Sequence, residues 1–170
     1  MAENSAGSPV FAGRYRFQSV GSDWDTGRSG FTHLVFDIQK ERLGVMKRAE
    51  LKSQQAVDNL KNEVAALLDL KGEGVPELYD TGEAEYGSKK FFYMVIEYID
   101  GMRVGKKLED LTVTERADIL LQFWSLLTTA QRMGIVNGDI DFKHLFWQRE
   151  KKQLVVIDWG NAKLNIKPAN

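Results

Sequence analysis

Residues 91–99 read FFYMVIEYI, eight apolar positions out of nine with only Glu97 among them. The run is about half the length of a membrane-spanning helix, ~20 residues. It is nearly continuous in apolar side chains, which fits a central strand covered on both faces. Its hairpin partner is ELYDTGEAEY (77–86), joined to it across GSKK. Three more strand-like stretches lie upstream: RYRFQSV (14–20), FTHLVFDIQ (31–39) and GVMKRAE (44–50). Between them and the hairpin, Ser53 opens a helix with Val57, Leu60, Val64, Leu67 and Leu68 at helical spacing, and Gly72, Gly74 and Pro76 stop it. Three strands, one helix and two strands make a small antiparallel sheet that carries one helix.

The rest of the chain changes character. Thr112 and Glu115 form a capping box at the start of a helix over 114–133, which ends at Gly134. Ile119, Phe123, Leu126, Leu127 and Ala130 share one face of it. Leu120, Leu121 and Trp124 widen its apolar arc beyond what one core-facing stripe needs. VNGDIDFKHLFW (136–147) follows, then a turn at REKK, a short strand LVVID and the segment WGNAK.

Composition excludes several classes. The chain has 170 residues and no cysteine, so neither a disulfide framework nor a thiolate metal site can form. That agrees with a reducing, cytoplasmic setting. The net charge of −1 gives no global field for nucleic acid. MAENSAGSPV lacks the basic flank and apolar core of a signal peptide, and residues 1–13 read as a disordered lead.

Charged residues then stand out against the apolar pattern. DTGRSG (25–30) places Gly27 and Gly30 between two strands, where backbone N–H groups could wrap phosphates or simply turn a hairpin. Lys47 alternates into a sheet face, and Glu63 sits beside the apolar stripe of the following helix. They are either a pair that holds a cation for an anionic ligand or two surface charges. Asp139 and Asp158 flank a hairpin, which returns its ends to nearly the same place. Two carboxylates so close need a cation, and Mg²⁺ takes one or two carboxylates together with phosphate oxygens.

In this order the segments resemble the protein-kinase-like superfamily over about residues 14–164. DTGRSGFTHLVF resembles the glycine-rich loop, LGVMK the strand bearing the phosphate-contacting lysine, and KNEVAALLDLKGEGVPELYD the helix bearing its glutamate partner. MVIEYIDG resembles the hinge, VNGDIDFKHLFW the catalytic loop and VVIDWGNAK the D-F-G segment. The resemblance implies an α+β fold with a five-stranded antiparallel N-lobe carrying one helix (14–100) and a minimal, mostly helical C-lobe (101–170). It implies ATP with Mg²⁺, or Mn²⁺, as cofactors. Catalytic roles fall to Asp139, Lys47 and Glu63, and metal binding to Asp158 and His144. Nucleotide contacts fall to Val20, Gly27, Gly30, Val45, Lys47, Ile96, Glu97, Ile99, Phe146 and Ile157.

The departures are specific. Asn137 and Gly138 replace the usual histidine and arginine before the catalytic aspartate, and Asp141 stands where Ser/Thr kinases have lysine. His144 replaces an asparagine. Imidazole is a poorer Mg²⁺ ligand than oxygen, although bacterial lipopolysaccharide-core sugar kinases resemble this aspartate-then-histidine pattern. Only ten residues follow Gly160. The wide arc on the 114–133 helix implies a homodimer or a partner protein there, or cover by the tail and small lobe. Two functions remain in view: a phosphotransferase acting on a protein or small-molecule hydroxyl, and a non-catalytic kinase-like module that binds nucleotide or acts as a scaffold.

Overall fold

The computed structural model describes residues 9–18 and 31–166. Two compact units divide the chain: residues 1–60 with 79–98, and residues 61–78 with 99–170.

The first unit is built on a curled antiparallel sheet. Its strands are β1 (Val10–Phe11), β2 (Tyr15–Phe17), β3 (Phe31–Asp37), β4 (Arg42–Glu50), β5 (Leu78–Tyr86) and β6 (Lys89–Glu97), in the order β1-β2-β3-β4-β6-β5. The apolar run forms most of β6, second from the sheet edge in that order, and Phe91 to Ile96 are all buried, as a strand covered on both faces requires. The five expected strands are present and a sixth precedes them. Val10–Phe11, inside the stretch read as a disordered lead, pairs with Arg16 and Tyr15 after a reversal at Ala12 and Gly13, both in the left-handed region. One aromatic residue carries no periodic signal, so β1 is invisible locally; burial of Phe11 against distant rings fixes it.

Those rings show how strongly the sheet curls. β1 and β5 lie at opposite ends of the strand order, yet the rings of Phe11 and Tyr86 are 5.7 Å apart. Phe11, Tyr15, Val35, Met46, Phe91, Tyr93 and Val95 fill the interior, with Phe17, Tyr79 and Tyr86 packed on them. Arg48 enters the same core, its guanidinium carbon 4.8 to 5.5 Å from the rings of Phe11, Phe17, Tyr86 and Phe91. Cation–π attraction offsets part of the cost of burying it. A second polar cluster closes the curl. Arg14 donates to fully buried Asp37 at 2.8 and 2.6 Å and to Asp80 at 3.2 Å. Asp80 also accepts the hydroxyls of Tyr15 at 2.5 Å and Tyr93 at 3.2 Å.

Helix α1 (Gln54–Asp69) begins just after Ser53, whose carbonyl accepts the Val57 N–H. Its residues from Lys61 onward group with the second unit. That unit holds α2 (Val113–Arg132) and a three-stranded sheet of β7 (Met102–Arg103), β8 (Leu145–Gln148) and β9 (Gln153–Val156). The helical residues of this unit thus come with a small sheet that the sequence reading did not include. The hairpin β8–β9 recruits β7 from the connector, and the sheet buries Trp147 and Leu154 to Val156.

The capping box at Thr112 and Glu115 is present, and it reaches further than the helix start. The Glu115 carboxylate also accepts Trp147 Nε1 at 3.1 Å and Arg149 Nε at 2.6 Å, tying α2 to β8. Arg149 chiefly, helped by the Thr112 amide, holds this carboxyl down at about 2. Gly74 (φ +82°) joins α1 to the same sheet: its carbonyl accepts the Val156 N–H at 2.8 Å, and a Cβ there would meet the Leu154 carbonyl at 3.1 Å. On α2, Ile119, Leu126 and Ala130 are buried, whereas Leu120, Leu121 and Trp124 are exposed, Trp124 at 74%. No helix among the described residues is long and apolar enough to cross a membrane.

Two outcomes follow from these polar ties. Asp37→Ala leaves Arg14 without its buried partner and is expected to cost about 3 kcal/mol of stability, measured by urea unfolding. Glu115, with its folded pKa depressed, contributes stability above its unfolded value and loses it as pH falls through about 2. Wild type should therefore show an acid-dependent loss that starts in the ordinary glutamate range, where the unfolded chain takes up the proton, and is complete only near the folded value of about 2. Unfolding of Glu115→Gln, followed at pH 2 to 6, should lack that part of the slope.

Candidate functional site

β4 sets the direction of Lys47. Gly44, Met46 and Arg48 alternate with it, and the latter two lie in the aromatic interior, so Lys47 stands on the opposite face with Val45. Register places Val45 against Ile96 and Lys47 against Met94, so the structure brings Val45, Lys47 and Ile96 to one face. Ile96 is buried and Lys47 half-buried. Glu97 ends β6, paired with Gly44. Val20, Gly27 and Gly30, expected to contact nucleotide, lie outside the described residues.

Glu63, Ile99, Phe146 and Ile157 belong to the second unit. Glu63 is 2% exposed on α1, and a carboxylate that deep is costly unless it is hydrogen-bonded or paired. Ile99 is buried, Phe146 and Ile157 are half-buried, and the Arg103 guanidinium lies 5.3 Å from the Phe146 ring.

The segment from Val136 to Asp158 is held by a series of local contacts. Val136 exchanges two backbone hydrogen bonds with Lys163, at 2.9 and 2.8 Å. Gly138 then passes so close to the following turn that a Cβ would meet the Asn161 carbonyl oxygen at 2.6 Å. That contact gives the glycine a steric reason. Asn137 Oδ1 accepts the Asp139 N–H at 2.9 Å, an Asx turn that presents the exposed Asp139 side chain. Asp141 caps the 3₁₀ turn Phe142–His144, accepting the Lys143 N–H at 3.0 Å and pairing with Lys143 Nζ at 3.2 Å. The Lys143 contacts hold the Asp141 carboxyl below its usual range. Lys143 is thus engaged by its neighbour two positions back.

His144 connects the two aspartates. Its ring is almost wholly buried, with Nδ1 3.2 Å from the Asp139 carbonyl oxygen and Nε2 3.4 Å from Asp158 Oδ2. Its backbone is pinned as well: the N–H donates to Asp141 and the carbonyl accepts from Ile157. Asp158 adopts φ +67°, a left-handed conformation that is uncommon for a residue with a side chain. Trp159, fully buried with Nε1 donating to the Val156 carbonyl at 3.1 Å, anchors the turn that carries it. Strain maintained by surrounding contacts in this way clusters at functional sites. At the end of the β8–β9 hairpin the side chain that meets the Asp158 carboxylate is His144, and Asp139 joins through its backbone carbonyl. Sequence reasoning missed the bridging role of His144, the steric role of Gly138 and the cap at Asp141. Of these only the Asp-x-Lys capping pattern had a local signal.

An exposed carboxylate at Asp139 can orient or deprotonate a hydroxyl. His144 and Asp158 offer one nitrogen and one oxygen donor to a cation. Among the described residues no group of three or more His, Cys, Asp or Glu side chains forms a metal cluster.

Comparison with known proteins gives two weak likenesses. The chain is 25% identical over 145 positions to the serine/threonine-protein kinase PksC of Streptomyces coelicolor, covering 79% of this chain and 26% of that protein. It is 25% identical over 136 positions to a probable casein kinase II subunit alpha homolog of Encephalitozoon cuniculi, covering 80% of this chain and 41% of that protein. This chain spans only about a quarter to two fifths of these relatives. No family model matches. The likeness supports a protein-kinase-like relationship, and the curled sheet with its helix is consistent with a kinase N-lobe. The resemblance to sugar kinases rests on the catalytic-loop pattern alone.

Gly138→Arg, which would place before Asp139 the arginine usual in the motif it resembles, is expected to destabilise the protein. The clash with Asn161 should cost about 1–3 kcal/mol, read by urea unfolding with tryptophan fluorescence.

Proposed function

We propose that this chain is an ATP-dependent phosphotransferase of protein-kinase-like type, passing the γ-phosphoryl group to a hydroxyl of a protein or a small molecule. The observation that carries this reading is the His144 bridge. It ties the backbone of Asp139 to the carboxylate of Asp158 on a strained, anchored turn. In this reading Asp139 orients the acceptor hydroxyl and takes its proton, and Asp158 with His144 holds a divalent ion. Lys47 and Glu63 keep the roles the resemblance gives them. Val45, Ile96, Glu97, Ile99, Phe146 and Ile157 contact the nucleotide, together with Val20, Gly27 and Gly30. The ion, Mg²⁺ or Mn²⁺, would bridge phosphate oxygens and offset their developing charge. Catalysis of this kind is mostly positioning and charge stabilisation, so pinned side chains matter more than reactive ones.

A second reading, a non-catalytic nucleotide-binding or scaffold module, has one specific observation behind it. Lys143, the nearest lysine to Asp139 in the loop, is held by Asp141.

The two readings separate in one set of measurements. ATP with a divalent ion at one hundred times its dissociation constant should add about 2.7 kcal/mol of stability. Wild type should form ADP, and Asp139→Asn, Lys47→Ala and Asp158→Asn should each lower turnover by about 100-fold or more. Binding without turnover across a wide acceptor screen selects the module. Absence of any binding removes both nucleotide readings and leaves the scaffold.

A further inference from the structure

The exposed side of α2 has a spacing of its own. Val113, Ala117, Leu120, Trp124, Leu127 and Gln131 follow one another at intervals of four, three, four, three and four residues. That is a heptad stripe, and it lies away from the buried Ile119, Leu126 and Ala130. Val113 is 83% exposed, Leu120 64% and Trp124 74%, with Leu121 beside them at 69%. No residue of the stripe is charged. The charged residues of the helix, Glu115, Arg116, Asp118 and Arg132, all stand off it. Contiguous exposed apolar surface of this kind marks an interaction site.

The intervals read the same from either end. A second copy laid antiparallel therefore meets the stripe in register. Val113 falls against the partner's Gln131, Ala117 against the partner's Leu127 and Leu120 against the partner's Trp124, and two-fold symmetry repeats each pair. Every layer sets a smaller side chain against a larger one, as interdigitated packing requires. Charge agrees with this direction. Each Arg132 comes to the start of the other helix, where the exposed Glu109 and Asp110 precede the cap, and the helix dipoles run head to tail. Parallel pairing would instead set Arg132 beside the partner's Arg132 and Ala117 against the partner's Ala117, adding like charges and leaving a gap. Val113, Leu120, Leu121 and Trp124 offer roughly 500 Å² on each copy, so about 1,000 Å² in total, the lower bound of a specific interface.

We propose that α2 pairs with α2 of a second copy of this chain, as an antiparallel two-fold dimer centred between Leu120 and Trp124. The proposal is independent of the phosphotransferase reading.

The test is sedimentation velocity on the full chain from micromolar to millimolar concentration, followed by cysteine cross-linking. Wild type should double its mass as concentration rises. Leu120→Glu and Trp124→Glu should each raise the dissociation constant about tenfold or more. Both side chains are exposed, so these variants should unfold in urea like the wild-type protomer. The chain has no cysteine, so introduced thiols report the pairing without background. Ala117→Cys and Leu127→Cys, mixed and mildly oxidised, should link to each other and not to themselves. In the antiparallel pair two copies of residue 117 lie about 15 Å apart along the helices, beyond disulfide reach. A monomer at every concentration overturns the proposal and leaves the face to a different protein. A dimer that survives Leu120→Glu and Trp124→Glu overturns it by placing the contact elsewhere. Ala117→Cys linking to itself overturns the antiparallel register.

Discussion

The carboxylate of Asp80 takes hydrogen bonds from Tyr15, Tyr93 and Arg14, which stand on or beside strands from across the first unit's sheet. Arg14 in turn grips the buried Asp37. A sheet curled tightly enough to bring Phe11 onto Tyr86 traps these polar groups inside, where they must be satisfied by one another. Once closed, the interior has room for aromatic rings and for the one guanidinium of Arg48. Strand alternation does the rest. With Met46 and Arg48 committed inward, Lys47 has to stand on the outer face beside Val45, opposite Ile96 and Met94.

The second unit relies on indoles in the same way that the first relies on the Asp80 cluster. Trp147 joins β8 to the cap of α2 through Glu115, and Trp159 anchors the turn after β9. Both are fully buried, and each satisfies its single donor, as a buried indole requires. The loop from Asn137 to His144 comes before both indoles in the chain and is shaped by local contacts. An Asx turn, a capped 3₁₀ turn and the close pass of Gly138 over Asn161 fix its path.

Local physics made part of this legible in the sequence. The apolar run of β6 announced a strand buried on both faces, the Thr112–Glu115 spacing announced its cap, and the glycines at 72, 74 and 134 announced where helices stop. The features that escaped depend on residues distant in sequence. Phe11 is a strand residue because four aromatic rings receive it. Gly138 is a glycine because of a carbonyl 23 positions later. Arg48 is buried because a curled sheet surrounds it with rings. At the candidate site the aspartates and the histidine were visible as residue types, whereas the division of labour between the two nitrogens of His144 needed coordinates.

The hydrogen bond from Val156 to the carbonyl of Gly74 has a consequence for motion. It fastens the turn after α1 to the strand that delivers Asp158, and the left-handed glycine lets the two backbones come this close. Glu63 lies on the part of α1 that belongs to the same unit. Local opening follows contiguous cooperative blocks, so the end of α1 and the last strand form one such block. The helix end and the strand that leads to Asp158 therefore share a backbone bond, and a change in the turn after α1 acts on that strand directly.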